Sequence, residues 1–565
     1  VKEAACGISE TIPGEAAWKA DLWPGDRITA INSYAGNGHL TFEDLLNFVV
    51  VGRQEDGVRL QIERRGVAEP IMVTIFPEIV DHGSRGRPTI GVLNSRSTRL
   101  LDGLPADRGS PAFEALQLPI TAAALSDLPA MTVVAVDRQP TPDYRAIHEA
   151  LAVHAAEPLT VTIARQAKDS QGDLVGPVTQ SDVVIAPNPL RTLGVAMEMG
   201  PITAIQDHSP AEAAGLEVGD VLQAVDDEPI FDPQRLPELL ARRADQRLRL
   251  TVERKQEGET RQVPIDIVPR QVHWFEHSGQ KLNSPWSAPA LGVTYRILPF
   301  VAHVEPNSPA AQAQWTSGAE KSAQPGVEAI APGTQIVVAE VLPAPVAAPG
   351  GDALEIDDSK HPFNRFEFTD DEASWPAFFE RMQQMSPHSK VRLTLADRRQ
   401  AEMTPVNAPD WFSPERGLNF AAETVEVRAR SLADALSLAF AKTKESSLLV
   451  YKFLRALTVG QVSSKNLGGP GTIFVMAQAN AQSGLAKLLM FLTVMSANLA
   501  VINMLPIPVL DGGHMMFLIY EGLRGKPPNE KVHGILTWLG LGIVLFLLIY
   551  TNGLDIARLV SWLHG

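Results

Sequence analysis

Only one cysteine, Cys6, stands in the 565 residues. No disulfide can form within the chain, and thiol usage gives no reading of the compartment. Basic charge is also short: 49 lysines and arginines face 65 aspartates and glutamates, a net charge of −16. That balance argues against nucleic acid as a partner, which would require a basic stripe. No Gly-x-Ser-x-Gly element occurs, which sets aside a serine hydrolase built on that elbow. Long hydrophobic runs are confined to two places. With 45% hydrophobic and 20% charged residues, the remainder is ordinary globular material. At about 150 residues per domain, the length points to around four domains.

The first long run, Leu485 to about Leu510, is apolar apart from Lys487, Asn498 and Asn503. The second, Gly534 to Tyr550, has no charge in 17 residues, which at about 1.5 Å per residue suffices for a span. It has no polar face to meet water, so a buried core helix is the weaker reading. Arg524, Lys526 and Lys531 lie in the short connection. The positive-inside rule places that loop in the cytoplasm and everything before Leu485 on the opposite side.

Where the first run ends, the chain reads Asn503-Met-Leu-Pro506-Ile-Pro508-Val-Leu510-Asp511-Gly512-Gly513-His514. A carboxylate at membrane depth costs roughly 2.5–3.5 kcal/mol, so Asp511 is a functional candidate by default. Pro506 and Pro508 interrupt the helix beside it, which lipid tolerates only where protein or a watery cavity satisfies the freed backbone. Upstream stands Asn466-Leu-Gly468-Gly469-Pro470, and downstream Glu521-Gly-Leu-Arg-Gly-Lys-Pro-Pro. Together these elements resemble the second half of the site-2 protease signature, in the bacterial sigma-regulating branch of those intramembrane zinc proteases. The resemblance implies that Asp511 is the third protein ligand of a catalytic zinc. It implies that Asn503 pairs with the backbone of an unwound substrate, with Pro506 and Pro508 shaping the same substrate-binding stretch. His514 belongs to the motif without being a ligand.

Members of that family also carry His-Glu-x-x-His, which sets two imidazoles one helical turn apart with a glutamate as general base. None of the thirteen histidines completes that pattern, and the chain opens on Val1. The expectation is therefore an N-terminally truncated protease that is inactive alone, with no catalytic base of its own. His273-Trp-Phe-Glu276-His277 matches the inverted zincin pattern, but Pro269, Gly279, Pro285 and Pro289 around it favour a linker. His148 and His154, six residues apart, would point away from each other on a helix.

Pro13, Pro111, Pro210 and Pro309 recur at spacings of 98, 99 and 99 residues, the mark of an internal repeat. The third copy, Ser209-Pro-Ala-Glu-Ala-Ala-Gly215-Leu-Glu-Val-Gly219-Asp220, predicts a short helix from Pro210 to Gly215 and a turn at Gly219-Asp220 into an alternating strand. Gly25-Asp26 repeats that turn in the first copy. The pattern resembles the PDZ core, which implies peptide binding by strand addition, and Gly25, Asp26, Gly219 and Asp220 are the expected peptide-binding turns. The second and fourth copies are degenerate, the fourth with Pro- and Ala-rich inserts at 323–333 and 343–351.

The expected architecture is multidomain: tandem PDZ-like α+β modules at 1–80, 88–187, 190–270 and 290–410, then a juxtamembrane amphipathic region at 411–484. An α-helical membrane domain at 485–565 follows, with spans at about 485–510 and 534–550. The family resemblance implies a zinc endopeptidase cutting single-span membrane proteins, embedded in lipid and gated by repeats outside the cytoplasm, in a bacterial inner membrane. The alternative is a non-catalytic membrane-anchored PDZ adaptor.

Overall fold

The computed structural model describes residues 2–564 apart from 37–39, 53, 81–86, 120–124, 126, 170–173, 257, 277–280, 318–329, 344–362, 370–372, 387, 427–428, 430, 461, 483 and 527–528. His277 and most of the two inserts of the fourth repeat lie outside the described residues.

Four units share one element order: strand, short helix, strand, helix, then a pair of antiparallel strands. In the third unit these are Val195–Ile205, Pro210–Ala214, Val221–Val225, Leu236–Arg242, Leu248–Gln256 and Glu259–Ile267. The short helix has local causes. Ser209 accepts a hydrogen bond from the Glu212 N–H, Pro210 occupies the first turn, and Gly215 ends it at φ 77°, each the residue type its position favours. Ser110 and Ser308 cap the matching helices Pro111–Ala115 and Pro309–Gln312 in the same way. In the strand Leu248–Gln256, Leu248, Leu250 and Val252 are buried and Arg249 is exposed, the period-two pattern of a half-buried sheet.

Each unit is completed by a glycine-containing segment remote from its other elements. In the first unit Ala17 N–H donates to Ile90 O at 2.7 Å and Ile12 N–H to Gly91 O at 2.8 Å. Leu291-Gly292 closes the third unit, and Leu193-Gly194, which precedes the third, closes the fourth. The second is closed from beyond the fourth, by Ala112 N–H to Arg416 O at 3.0 Å and Asp107 N–H to Gly417 O at 2.8 Å. These glycines have φ between 72° and 81°, and a Cβ on any of them would overlap Glu15, Ser110, Ser209 or Ser308 at the start of the short helix. Only glycine meets both demands. The third and fourth units are thus inserted between the second and its own closing strand. They share one continuous core, while the first and second have cores of their own. Each of the stretches 1–80, 88–187, 190–270 and 290–410 therefore lacks the segment that completes its unit. Part of 411–484 supplies such strands, since Phe420–Ala422 pairs with Arg96–Leu100 and Thr424–Glu426 with Lys2–Ala4.

Arg416 fixes the long-range closure. Wholly buried, it donates to Ile185 O, His154 O, Ala155 O and Glu157 O at 3.1, 2.7, 3.1 and 2.6 Å. Removing it strands those carbonyls, at about 1–3 kcal/mol for each buried acceptor left unpaired. Limited proteolysis of Arg416→Ala should therefore cut the second unit, within 96–185, while the shared core of the third and fourth stays resistant. Equal resistance of both regions would show that the closure does not depend on this side chain.

The His273–Glu276 stretch forms no helix; it is a strap. Trp274 lies on Trp23 with centroids 4.9 Å apart and Phe275 stacks on His148 at 4.0 Å. Glu276 accepts from Trp18 Nε1, Trp274 Nε1 and Ser287 Oγ at 3.0, 3.2 and 2.5 Å. His148 is a core residue of the helix Tyr144–Val153, and His154 sits half-buried at the end of that helix.

Among the described residues, five α-helices follow the four units. Leu432–Thr458, which the sequence allows at a lipid interface or against the last repeat, packs on the first unit and on the helix Leu485–Asn503. Lys442 reaches Asp44 at 3.9 Å and Lys452 lies 5.6 Å from the Phe48 ring centroid. Pro470–Gln482, Leu485–Asn503, Asp511–Arg524 and Glu530–His564 complete the chain. Leu485–Asn503 and Glu530–Arg558 are long and apolar enough to cross a membrane, and their surfaces are almost wholly uncovered by protein.

Candidate metal-ligand loop

The helix Leu485–Asn503 stops at Asn503, seven residues before the hydrophobic run does. Pro506 and Pro508 offer no N–H, and each disfavours helical backbone in the residue before it. A tight loop follows, with Leu505 N–H donating to Ile502 O at 3.0 Å, Ile507 N–H to Leu505 O at 2.7 Å and Leu510 N–H to Ile507 O at 2.9 Å. Val509 has φ 141°, a region that β-branched residues avoid and that typically stores about 1–3 kcal/mol of strain.

Asp511 then opens the helix Asp511–Arg524. Its carboxylate lies in the first turn, where the helix dipole favours negative charge, and the residue is exposed. Behind it the loop is clamped by glycines. A Cβ on Gly512 would overlap Met504 O and lie 2.5 Å from Leu505 O. One on Gly513 would overlap Ile507 O and lie 2.7 Å from Pro508 Cα. Gly540, from the last helix, meets the Pro508 carbonyl as closely. The loop therefore rests on two helices at backbone contact and presents one carboxylate outward. The motif shows Gly512 and Gly513; Gly540 carries no local signal, because its partner is 32 residues away.

Asn503 ends the preceding helix, half-buried, and Asp511 begins the next, so one loop carries both together with Pro506 and Pro508. His514 lies one turn further along, its ring 6.4 Å from that of His533. As a hard anionic oxygen donor Asp511 suits zinc, which a protein site holds with three or four ligands. Among the described residues no group of three histidines, cysteines, aspartates or glutamates gathers. These residues alone do not make a zinc site; Asp511 offers one oxygen donor.

The two Gly-Asp turns lie elsewhere and face inward. Asp26 accepts from Trp23 N–H at 2.8 Å and from Arg64 Nε and Nη2 at 2.8 and 2.7 Å. Asp220 accepts from Glu217 N–H at 2.9 Å and from Arg254 Nε and Nη2 at 2.7 Å each. Gly25 and Gly219 hold φ 88° and 99° to make the turns. Both carboxylates are buried, so their side-chain hydrogen bonds set the frame of a unit. Burial pushes the Asp26 carboxyl up and Arg64 pulls it back. Burial first, then the charge of Asp44, pushes the Cys6 thiol up to about 12, which makes it inert near neutral pH. The closing segments left a signal that the repeat search did not use. Ile90-Gly-Val92, Leu193-Gly-Val195 and Leu291-Gly-Val293 share one pattern, a branched aliphatic residue followed by Gly-Val, in three places.

The profile of peptidase family M50 matches residues 172–547, about two thirds of the chain and all of the loop just described. The chain is 29% identical over 276 residues to a regulator of sigma E protease from Haemophilus influenzae, covering 47% of this chain and 60% of that protein. It is 37% identical over 112 residues to zinc metalloprotease RasP of Shouchella clausii, covering 20% of this chain and 27% of the relative. With protease RseP of Photorhabdus luminescens it shares 41% identity over 107 residues, 19% of this chain and 47% of the relative. The matches thus span 60% or less of each of these relatives.

Proposed function

The chain belongs to peptidase family M50, and on that premise we propose that it is the C-terminal part of a membrane-embedded zinc metalloendopeptidase that cuts single-span membrane proteins. The observation that carries the reading is Asp511, an anionic ligand on a glycine-clamped loop at the end of an apolar helix. Two relatives are named as a zinc metalloprotease and as a regulator of sigma E protease, in keeping with the metal and with a regulated cut. A zinc site needs further ligands and a general base beside Asp511, and His-Glu-x-x-His does not occur in these 565 residues.

When bound at such a site, zinc supplies Lewis acidity and a nucleophile at neutral pH. This chain's residues do the rest by position. Asp511 contributes one ligand oxygen, held in place because Gly512, Gly513 and Gly540 leave the loop no room to shift. A membrane helix hides its carbonyls in internal hydrogen bonds and must be unwound before attack. Asn503, at the broken helix end, can donate to a carbonyl and accept from an N–H of the exposed strand. Pro506 and Pro508, which cannot continue a helix, keep the adjacent backbone open for that pairing.

The four outer units are PDZ-like, in an arrangement where each is closed by a remote Gly segment. They bind extended peptide or restrict access to the membrane site. The protein crosses the membrane more than once, with the connection that carries Arg524, Lys526 and Lys531 in the cytoplasm and the units outside it, in a bacterial inner membrane. Its partners are single-span substrates and lipid.

The test uses the full-length protein in proteoliposomes with a single-span substrate. Cleavage within the bilayer, lost with a chelator and restored by zinc, supports the proposal. Peptide binding without cleavage at any zinc level would favour a membrane-anchored adaptor.

A further inference from the structure

The last helix makes a second polar contact far from the loop. Asp555 accepts from Gly469 N–H at 3.2 Å, Thr472 N–H at 3.1 Å and Thr472 Oγ1 at 2.5 Å. One turn on, Arg558 donates to Lys465 O and Leu467 O at 2.8 and 2.7 Å, to Thr472 Oγ1 at 2.9 Å and to Asp555 at 3.1 Å. Together they clasp the segment Lys465–Thr472 that starts the helix Pro470–Gln482. This gives a physical reason for the Gly468-Gly469-Pro470 sequence. A Cβ on Gly469 would lie 2.5 Å from Asp555 Oδ2 and 2.7 Å from Thr551 O, and one on Gly471 3.0 Å from Asp555 Oδ2. Pro470 needs no donor partner at the first helical position.

The same helix carries Gly540, against the Pro508 carbonyl. Fifteen residues separate Gly540 from Asp555, about 22 Å along a rigid helix. One end of that rod backs the Asp511 loop, and the other holds the point where the chain arrives from the outer units. That arriving chain is the helix Leu432–Thr458, which is itself packed on the first unit. In a group this densely bonded each bond strengthens its neighbours, and a partial release leaves backbone groups unpaired.

We infer that Asp555 and Arg558 are positioning residues, which fix the outer units and their bound substrate relative to the loop that carries Asp511. The inference rests on the reading of Asp511 as a zinc ligand, and its two halves are separable. The clasp itself predicts that in Asp555→Ala the amides of Gly469 and Thr472 exchange hydrogen at least tenfold faster than in the parent. Its positioning role predicts that the full-length variant keeps its zinc while its kcat on a single-span substrate falls at least tenfold. Thr472→Val should show a smaller fall, and Thr472→Ser, which keeps the hydroxyl, should be restored to near the parent rate. Faster exchange with unchanged kcat would overturn the positioning role. So would loss of zinc in Asp555→Ala, which would make the contact a determinant of folding alone. Unchanged exchange would remove the clasp itself. If the parent neither holds zinc nor cleaves, the exchange result still stands as a test of the clasp, and the failure belongs to the reading of Asp511.

Discussion

Alanine at Gly513 should abolish cleavage by the full-length protein, whereas alanine at Gly522 in the same helix should not. The two substitutions add the same methyl group and differ only in what it meets. At Gly513 the Cβ overlaps Ile507 O and lies 2.7 Å from Pro508 Cα; at Gly522 nothing lies within 4 Å. The obstructing atoms at Gly513 are backbone, so no side chain can swing aside, and the loop must leave the helix. Overpacking of this kind costs roughly 1–3 kcal/mol or more. A displacement of about 1 Å at a reacting centre can cost about 100-fold in rate, so a fall of at least that size is expected. Gly522→Ala should be neutral or gain up to about 1 kcal/mol from helix propensity. Paired cleavage assays and thermal melts of the two variants check this. Equal activity of both would mean that the loop is not held by glycine contact.

Asparagine at Asp511 should have an effect at least as large, for a different reason. The side chain keeps its shape but loses its charge, and a neutral amide oxygen is a far weaker partner for zinc than a carboxylate. Lewis-acid stabilisation at such centres amounts to several kcal/mol. With 1.36 kcal/mol for each tenfold in rate, a loss of roughly 3–4 kcal/mol lowers kcat by about 10²–10³-fold. Peptide binding by the four units should be untouched, because their cores are built from residues between Cys6 and Phe420 and draw on none of the loop 504–511. Asp511→Asn is thus expected to separate binding from cleavage. Loss of both together would point to misfolding, and a melt that matches the parent excludes it.

Much of the loop can be read from the residues themselves. Pro506 and Pro508 announce the break, and Asp511 stands out as a carboxylate beside an apolar run. Hydropathy alone extends the first apolar helix to Leu510, however, because apolar loop residues and apolar helix residues look alike. The proline rule ends it at or before Leu505, and the structure ends it at Asn503. The contacts that hold the loop are less legible. Gly540 and Asp555 act on residues 32 and 86 positions away, and no local period encodes such pairings.

The outer units divide in the same way. Caps, turns and strand alternation are local, and they mark the third unit clearly. The closing strands are not: Gly417 packs on Ser110, some 300 residues earlier. A unit that has lost its Gly-Asp turn, as the second has, still folds to the common order. Its buried Val133, Ile147, Val161 and Ile163 supply the core, and Arg416 ties the return strand to it. Degeneracy in the motif therefore did not mean degeneracy in the fold.

All of this converges on whether the Asp511 oxygen touches a metal. Zinc-edge X-ray absorption on the full-length protein, parent and Asp511→Ala, reads that contact directly. The account predicts an oxygen scatterer at about 2.0–2.2 Å in the parent that is lost or replaced in the variant. An identical first coordination shell in both proteins would contradict it.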